Sequence, residues 1–213
     1  MAKLISFIPF VYSWYLRILA DSPKTVLDMG CGDGTLMEGI AGENWRITGI
    51  DIYEKDISNA EKKGIYEKLI KGDLVKVVKK LVTQKQKYDL VFCSQVIEHI
   101  TKQEGEKLLD LSEKLAKKRI YFGTPRGFMR QPEVFLKGNP YQYHKSGWSI
   151  KDFTSRGYRV YGIGFNPVWT EKGLGRSKNK LVFLVASLVS YVLAPIIFFA
   201  PELASGIMAV KDK

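Results

Sequence analysis

Cysteine and histidine are scarce in this sequence of 213 residues, which contains two of each. Neither the number nor the spacing of Cys31 and Cys93 suits a disulfide framework or a zinc site. The chain also has no internal repeat, no low-complexity tract and no visible cluster of metal ligands, so we expect no bound metal. These absences argue against a disulfide-rich secreted scaffold and favour a reducing, cytoplasmic setting.

Acidic residues are in the minority: 22 Asp and Glu stand against 33 Lys and Arg, which gives a net charge of +11. Such a charge favours an anionic partner, whether nucleic acid, an acidic membrane surface or a phosphorylated substrate, although a lysine-rich surface needs no partner at all. Apolar residues make up 46% of the chain, which is a globular proportion. The length suffices for one α/β domain with a sizeable core.

The stretch from Thr25 to Thr35, TVLDMGCGDGT, predicts a buried strand, a tight glycine turn and the start of a helix. Gly30, Gly32 and Gly34 tolerate positive φ angles, and without a Cβ they let another molecule approach the backbone closely. A helix that begins just after such a loop directs unpaired N–H groups and the positive end of its dipole at the ligand.

The acidic residue before this loop discriminates between ligands. A dinucleotide fingerprint, G-x-G-x-x-G, would need glycine where Thr35 stands, and a carboxylate at Asp28 would repel a pyrophosphate. The pattern D-x-G-x-G-x-G suits a ligand with a cationic amine instead. These residues resemble the first motif of the class I S-adenosylmethionine-dependent methyltransferases, in which an acidic residue precedes G-x-G-x-G. Within that family the chain resembles the methyltransferases of types 11 and 12. The resemblance covers roughly residues 25–165 and the last strand.

Alternating strand and helix patterns predict the fold of the whole chain as α/β. We expect a doubly wound, Rossmann-like, seven-stranded sheet with helices on both faces and an apolar insert before the last strand. Residues 1–213 then form a single methyltransferase domain. Its parts are an N-terminal apolar helix at 1–24, a cofactor-binding core at 25–165, the insert at 166–203 and the last strand at 204–213.

Apolar periodicity predicts the individual elements. After the first strand from Thr25, strands are expected at Trp45–Asp51, Lys68–Asp73, Tyr88–Ser94, Arg119–Thr124, Tyr158–Phe165 and Gly206–Val210. Helices are expected after Pro9 and at Leu36–Ala41, Asp56–Lys63 and Glu104–Lys118.

The resemblance implies S-adenosyl-L-methionine as the cofactor and suggests how the chain holds it. Asp28 would hold the methionine end. Asp51, at the end of the second strand, would bind the ribose hydroxyls, a device that NAD enzymes share. Asp73 and Leu74 would contact the adenine, although a lone Asp after a strand is usually a turn or cap residue. The predicted cofactor set is Asp28, Gly30, Cys31, Gly32, Gly34, Asp51, Ile52, Asp73, Leu74, Ser94 and Gln95.

The catalytic candidates follow from the chemistry of a sulfonium methyl group, which needs an aligned nucleophile and removal of a proton. The candidate bases are the only histidines, His99 and His144, which we expect to titrate near neutrality unless they are structural. His144 is favoured because its loop should overhang the methyl group. Glu98, in a segment that resembles the family's E-H-hydrophobic signature, would orient a histidine or a substrate hydroxyl.

A long connection at Pro125–Ser149 is expected to carry function, as long loops at strand ends commonly do. Its candidates for binding the substrate are Arg126, Tyr143 and Trp148. Ser149 ends the connection as a plausible helix N-cap.

Two apolar stretches suggest a membrane. Leu181–Ala200 has no charge and is long enough to span a bilayer, but the strand after it must return to the same sheet, and Pro195 divides the run. An interfacial or re-entrant hairpin, a hydrophobic lid, or packing on the same domain or on a second subunit are the alternatives. Basic residues precede the run: Lys172, Arg176, Lys178 and Lys180.

The N-terminal stretch at 1–20 is also apolar, but Pro9 and Arg17 argue against a signal peptide. It would cover the active site, lie on a membrane or pack in the core. With residues 181–200, it predicts peripheral contact with the cytoplasmic face of a membrane. No pattern in the sequence indicates an oligomeric state.

The predicted function is transfer of a methyl group to oxygen or carbon of a small, lipid-linked or glycan-like acceptor. A nucleic-acid methyltransferase is the first alternative, disfavoured because SQVI stands where a D/N-P-P-Y-type tetrad would and no separate nucleic-acid module is present. A non-catalytic binding or scaffold protein on the same fold is the second. A nicotinamide oxidoreductase is disfavoured by Thr35 and Asp28.

Overall fold

The computed structural model of the chain describes residues 2–130 and 138–213. Met1, which the predicted N-terminal helix includes, lies outside these ranges, as do residues 131–137 of the predicted long connection.

The strands of the described residues form one sheet. They are β1 (Thr25–Met29), β2 (Arg46–Asp51), β3 (Lys68–Lys71), β4 (Tyr88–Ser94), β5 (Ala116–Pro125), β6 (Arg159–Phe165) and β7 (Ala204–Asp212). Their spatial order is β3-β2-β1-β4-β5-β7-β6. The first five strands pair in parallel, whereas β7 is antiparallel to both of its neighbours. The predicted seven-stranded sheet is confirmed, and the position of β7 between β5 and β6 is new.

The direction of β7 determines where the insert lies. Both β5 and β6 are antiparallel to β7, so β6 runs in the same direction as β1 and β4. Phe165 at the end of β6 pairs with Ala204 at the start of β7. The insert therefore leaves and re-enters the sheet at the edge where the parallel strands end, which we call the carboxyl edge. The glycine loop after β1 lies at this same edge.

The helices alternate with the strands along most of the chain. They are α1 (Ala2–Ile5), α2 (Tyr12–Ala20), α3 (Thr35–Ile40), α4 (Glu54–Lys62), α5 (Leu74–Thr83), α6 (Lys102–Leu115), α7 (Ile150–Thr154), α8 (Asn166–Trp169), α9 (Lys180–Val192) and α10 (Ala194–Phe199).

Two of these helices correct the sequence prediction. The helix expected at Glu104–Lys118 starts earlier, because the Thr101 side chain caps it in a capping box with Glu104. It also ends earlier, because Ala116 already pairs with Tyr88 of β4. Helix α5 was not predicted at all. Ser149 is the N-cap of α7, as predicted, with its side chain accepting the N–H of Asp152.

The core has two layers, one on each face of the sheet, because successive strand residues point to opposite faces. In β4, Val91 and Cys93 pack with residues of α5 and α6. Leu90 and Phe92 pack on the other face with residues of α2 and α3. Helices therefore cover both faces, which confirms the doubly wound arrangement.

The insert divides at Pro195, in the first turn of α10. Helix α10 packs on the domain: the Phe198 ring stacks with Tyr15 and with Tyr161, at centroid distances of 4.5 and 4.4 Å. Helix α9 buries only Ala186 and Ser190. Among the described helices, none combines the length and the apolar character needed to cross a membrane. The predicted packing on the same domain thus holds for α10, whereas the outer face of α9 has no cover within the described chain.

Candidate functional site

The glycine loop, Gly30–Gly34, follows β1 at the carboxyl edge. Gly30, Gly32 and Gly34 have φ angles of +74°, +54° and +76°, which favour glycine. A Cβ at Gly30 would lie 2.3 Å from Val96, so that position is closed, whereas a Cβ at Gly32 would have nothing within 4 Å. The loop therefore turns tightly on one side and presents open space on the other, as a backbone cradle for a ligand requires.

Asp51 ties this loop to the next strand. One of its carboxylate oxygens accepts the N–H of Gly32 at 2.9 Å, and the other accepts the N–H of Tyr53 at 2.9 Å. Ile52, another predicted cofactor residue, lies in the sequence between Asp51 and Tyr53. Each carboxylate oxygen has a second lone pair, so Asp51 can accept hydroxyl groups in addition. Its position fits the predicted ribose contact.

Asp28 is buried in β1, with 4% of its surface exposed. The Tyr66 hydroxyl donates to it at 2.8 Å. Burial raises the pKa of Asp28 to about 7; the Tyr66 bond opposes this rise and the charge of Asp51 adds to it. A buried carboxyl that is half ionised at neutral pH would gain from a cationic ligand. Tyr66 was not predicted as part of the site, because it lies outside any sequence motif.

Asp73 acts as the N-cap of α5, where its side chain accepts the N–H of Lys76 at 2.9 Å. The cap interpretation that the sequence offered for this residue is therefore correct. Leu74 begins the helix. The contact of Asp73 with the adenine stays a prediction.

The end of β4 is constrained and meets the N-terminal helix. Gln95 has a φ angle of +57°, which is uncommon for a residue with a side chain. Its N–H donates to the Gly123 carbonyl at 2.7 Å. The Tyr12 hydroxyl lies 2.6 Å from Ser94 Oγ and 3.0 Å from the Tyr121 hydroxyl. Tyr12 thus joins the predicted cofactor residues Ser94 and Gln95, and the sequence interpretation missed it.

The two histidines come together, with ring centroids 4.9 Å apart. Nδ1 of His144 bonds the Met129 carbonyl, and Nδ1 of His99 bonds the Tyr143 carbonyl at 3.3 Å. A carbonyl only accepts, so each Nδ1 carries a proton and each Nε2 of the neutral rings offers a lone pair. Burial lowers the pKa of both, that of His99 to about 4. The expectation of titration near neutrality is therefore wrong for His99, and the pKa of His144 is shifted in the same direction.

Glu98 is buried beside them, and Thr124 donates a hydroxyl to its Oε2 at 3.0 Å. Its Oε1 has no partner among the described residues. Burial raises its pKa to about 7. One ligand atom each of Glu98, His99 and His144 lie within 4.8 Å of one another. Folding thus assembles three groups that could hold a metal ion, a cluster that the sequence spacing did not reveal.

The residues predicted to bind the substrate differ in their exposure and contacts. Trp148 is 1% exposed, and its indole N–H donates to Ile97 and to Ser146. A Cβ at Gly105 would lie 2.3 Å from its ring. Trp148 is a core residue, and its prediction as a substrate contact is wrong because the ring packs against α6.

Arg126 and Tyr143 are both accessible in part. The Arg126 Nε donates to the Ala204 carbonyl at 2.6 Å, so its side chain is held at the start of β7. The Tyr143 side chain is 43% exposed. Tyr143 therefore remains a candidate for contact with a substrate, whereas Arg126 has a structural bond that constrains it.

A cavity of about 640 Å³ opens at the carboxyl edge between the N-terminal segment, the strand ends and the insert. We call it the insert cavity. Gln95 and Met129 line it, which brings it next to the end of β4 and to the partner of His144.

Comparison with known proteins identifies relatives. The methyltransferase domain family matches residues 6–149. The ubiquinone biosynthesis O-methyltransferase of Bordetella pertussis is 41% identical over 119 residues, which cover 54% of this chain and 47% of that protein. The protein of the same name in Nitrosomonas europaea is 38% identical over 119 residues, which cover 54% and 48%. The chain spans about half the length of the curated relatives it matches.

Solved structures share the fold. A SAM-dependent methyltransferase from Archaeoglobus fulgidus matches 100% of this chain and 95% of its own, with a TM-score of 0.61 and 19% identity. A plantazolicin methyltransferase solved with SAH matches 100% of this chain and 82% of its own, with a TM-score of 0.54 and 22% identity. The likeness extends over the insert and β7, which lie beyond the family match.

Proposed function

We propose, on the premise that this chain belongs to the methyltransferase domain family, that it transfers the methyl group of S-adenosyl-L-methionine to an oxygen of a small acceptor. The observation that carries the proposal is the glycine loop: open space over Gly32, with Asp51 bonded to its N–H and the buried Asp28 nearby. A carboxylate that can accept ribose hydroxyls, with a buried carboxyl near it, suits a nucleoside with a cationic end. Oxygen is preferred to carbon as the acceptor atom because the relatives from Bordetella and Nitrosomonas are named O-methyltransferases.

The residues of the carboxyl edge divide the binding between them. Asp28 would face the positively charged methionine end, which favours its ionised form. Asp51 would accept the ribose hydroxyls. The remaining members of the set would contact the adenine and the cofactor backbone: Cys31, Ile52, Asp73, Leu74, Ser94 and Gln95.

A bound cofactor supplies a methyl group that its sulfonium has already activated, so the chain has to align the acceptor oxygen and remove its proton. A neutral imidazole with a free Nε2 can take that proton. His144 and His99 both meet this condition, and His144 bonds the carbonyl of Met129, which lines the insert cavity. Glu98 would hold the histidine pair through its buried carboxyl.

The test of this step is transfer of radiolabelled methyl groups to an extract of membrane lipids. We expect His144→Ala to lower the rate about 100-fold, the usual effect of removing a general base. His99→Ala, measured alongside, identifies which histidine contributes more. Lys145→Ala is the matched control, because this exposed neighbour should leave the rate within about twofold. A folded, cofactor-bound protein that labels nothing would contradict the proposed activity.

The acceptor is proposed to be lipid-like and to be met at a membrane surface. On the outer face of α9, Leu184 and Leu188 are 63% and 60% exposed, and Phe199, the last residue of α10, is 79% exposed. At the N-terminus, Leu4 and Phe7 are 76% and 58% exposed. Exposed apolar side chains of this kind, with the exposed Lys178 just before α9 and Lys180 at its start, suit the boundary of an anionic leaflet.

Vesicle sedimentation tests this contact. The double variant Leu184→Glu/Leu188→Glu should bind vesicles of phosphatidylglycerol and phosphatidylcholine at least tenfold less tightly than the parent chain, because it places two charges in the apolar face. Lys79→Gln/Lys80→Gln, which lowers the net charge by the same amount on the exposed side of α5, separates the apolar effect from the loss of positive charge. Equal loss in both variants would mean that charge alone attracts the chain.

A further inference from the structure

The insert cavity has walls from several parts of the chain that are distant in sequence. The N-terminal segment contributes Phe10 and Tyr12, the end of β4 contributes Gln95, and the insert contributes Trp169 and Tyr191. Its volume of about 640 Å³ falls in the range of sites for small molecules. Cofactor binding by the glycine loop does not account for it.

The lining of this cavity carries no charge among the described residues. Two of its serines have their polar atoms bound to the protein: Ser190 accepts from Trp169 at 2.7 Å, and Ser205 donates to the carbonyls at the end of β6. A third lining serine, Ser187 of α9, has a buried Oγ without a partner among the described residues, and apart from this hydroxyl the wall on the insert side is apolar in effect. Despite the net charge of +11, an anionic molecule would find no cation here to compensate for its desolvation.

Polarity is concentrated at the end of β4. The hydroxyls of Tyr12, Ser94 and Tyr121 carry three protons, and two hydrogen bonds join them. The exposed Gln95 side chain is a further hydrogen-bond partner of the Tyr12 hydroxyl, so a ligand oxygen would take the place of Gln95 there. Burial raises the pKa of Tyr12, so its hydroxyl stays protonated and can donate.

The backbone is shaped to admit this group. A Cβ at Gly123 would lie 2.6 Å from the Tyr12 hydroxyl and 2.5 Å from that of Tyr121, so only glycine leaves room for the pair. Phe10 has a φ angle of +66°, which a bulky residue adopts only under constraint. This turn brings Val11 and Tyr12 to the cavity.

We propose that the insert cavity binds the methyl acceptor as a neutral, largely apolar molecule that presents a hydroxyl group, and that the Tyr12 hydroxyl bonds that group. The inference rests on the proposed methyl transfer and adds to it the class of acceptor and the residue that orients it. Tyr12 thereby makes the N-terminal helix part of the active site, and the insert supplies the apolar wall.

Calorimetry with 4-hexylphenol tests the cavity in protein with and without S-adenosylhomocysteine. We expect Ser187→Trp, which places a bulky side chain of α9 in the cavity, to weaken the binding of 4-hexylphenol at least tenfold. Leu188→Trp is the matched control, because Leu188 is 60% exposed and does not line the cavity. Equal losses in the two variants would overturn the proposal, as would 4-hexylbenzoate binding as tightly as 4-hexylphenol.

Tyr12→Phe tests the hydroxyl with little change of shape. We expect it to weaken 4-hexylphenol about fivefold and to leave hexylbenzene unchanged, because a single hydrogen bond is lost. A purely structural role of Tyr12 would weaken both probes equally and would contradict the assignment.

Titration with S-adenosylhomocysteine distinguishes failure of the proposed function from failure of the proposed acceptor class. Failure to bind S-adenosylhomocysteine contradicts the proposed function, while the probe titration without it still reports on the cavity. Binding of the nucleoside without any binding of 4-hexylphenol overturns the acceptor class alone.

Discussion

The two sides of the carboxyl edge are built by opposite means. On the side of β1 and β2, polar groups are fixed by the backbone: Asp51 is bonded by two N–H groups, and the glycine loop turns under it. On the side of β6 and β7, apolar residues enclose a cavity, and part of α9 faces outward. The first side suits a charged nucleoside that is always the same. The second suits an apolar acceptor, and the residues of the insert would determine which acceptor fits.

The largest expected effect separates two glycines of one loop. We expect Gly30→Ala to destabilise the fold by about 3 kcal/mol and to abolish cofactor binding, since its Cβ would collide with Val96 at a strained φ angle. Gly32→Ala should cost about 1 kcal/mol, because only its φ angle opposes a side chain. Urea unfolding measures both changes, and equal losses would mean that the space at Gly30 is not limiting.

We expect substitutions in the two helices of the insert, α10 and α9, to differ in their effect on stability in the same way. Phe198→Ala is expected to cost about 2 kcal/mol, because its ring stacks on Tyr15 and Tyr161. Leu188→Ala, on the exposed face of α9, should change stability by less than about 0.5 kcal/mol. The comparison, made by urea unfolding, shows whether α10 belongs to the core while α9 remains surface. A large loss at Leu188 would show that α9 has a partner.

The smallest expected effect is on pH dependence. The pKa of Asp28 is about 7, and a cationic ligand favours its ionised form, so affinity for the cofactor should rise about tenfold between pH 6 and pH 8. Stability of the free protein should change in the opposite direction. A folded-state pKa above the ordinary value of 3.8 means that the contribution present at low pH is lost as pH rises through about 7.

Asp28→Asn is the control for both trends. It should flatten the pH dependence of cofactor affinity and remove part of the loss of stability between pH 3.8 and about pH 7. Thermal scans and calorimetric titrations at matched ionic strength measure the two quantities. An unchanged pH profile in this variant would assign the titration to another group, of which Glu98 has the same direction of shift.

Sequence patterns sufficed for the side of the edge that depends on local spacing. The glycine loop, Asp28 and Asp51 lie within one strand-turn-helix unit and its neighbouring strand, and their positions follow from periodicity. The number of strands and their positions along the chain also followed, whereas the antiparallel direction of β7 did not. The N-cap at Ser149 was predicted for the same reason, since capping is a local property.

The other side depends on contacts between distant residues. Tyr12 meets Ser94 across 82 positions, and Tyr66 meets Asp28 across 38. Trp148 was misassigned because only packing against Gly105 reveals it as a core residue. The lowered pKa of both histidines comes from burial, which their spacing in sequence does not report.

The most direct test of the central claim is calorimetric titration of the chain with S-adenosylmethionine and, separately, with NADH. The account predicts micromolar binding of the first and none of the second. It also predicts that Asp28→Ala loses that binding, whereas Asp73→Ala, which removes a helix cap, weakens it less. A folded chain that binds neither compound, or that binds NADH through the same loop, would contradict the assignment of the glycine loop to a cationic nucleoside.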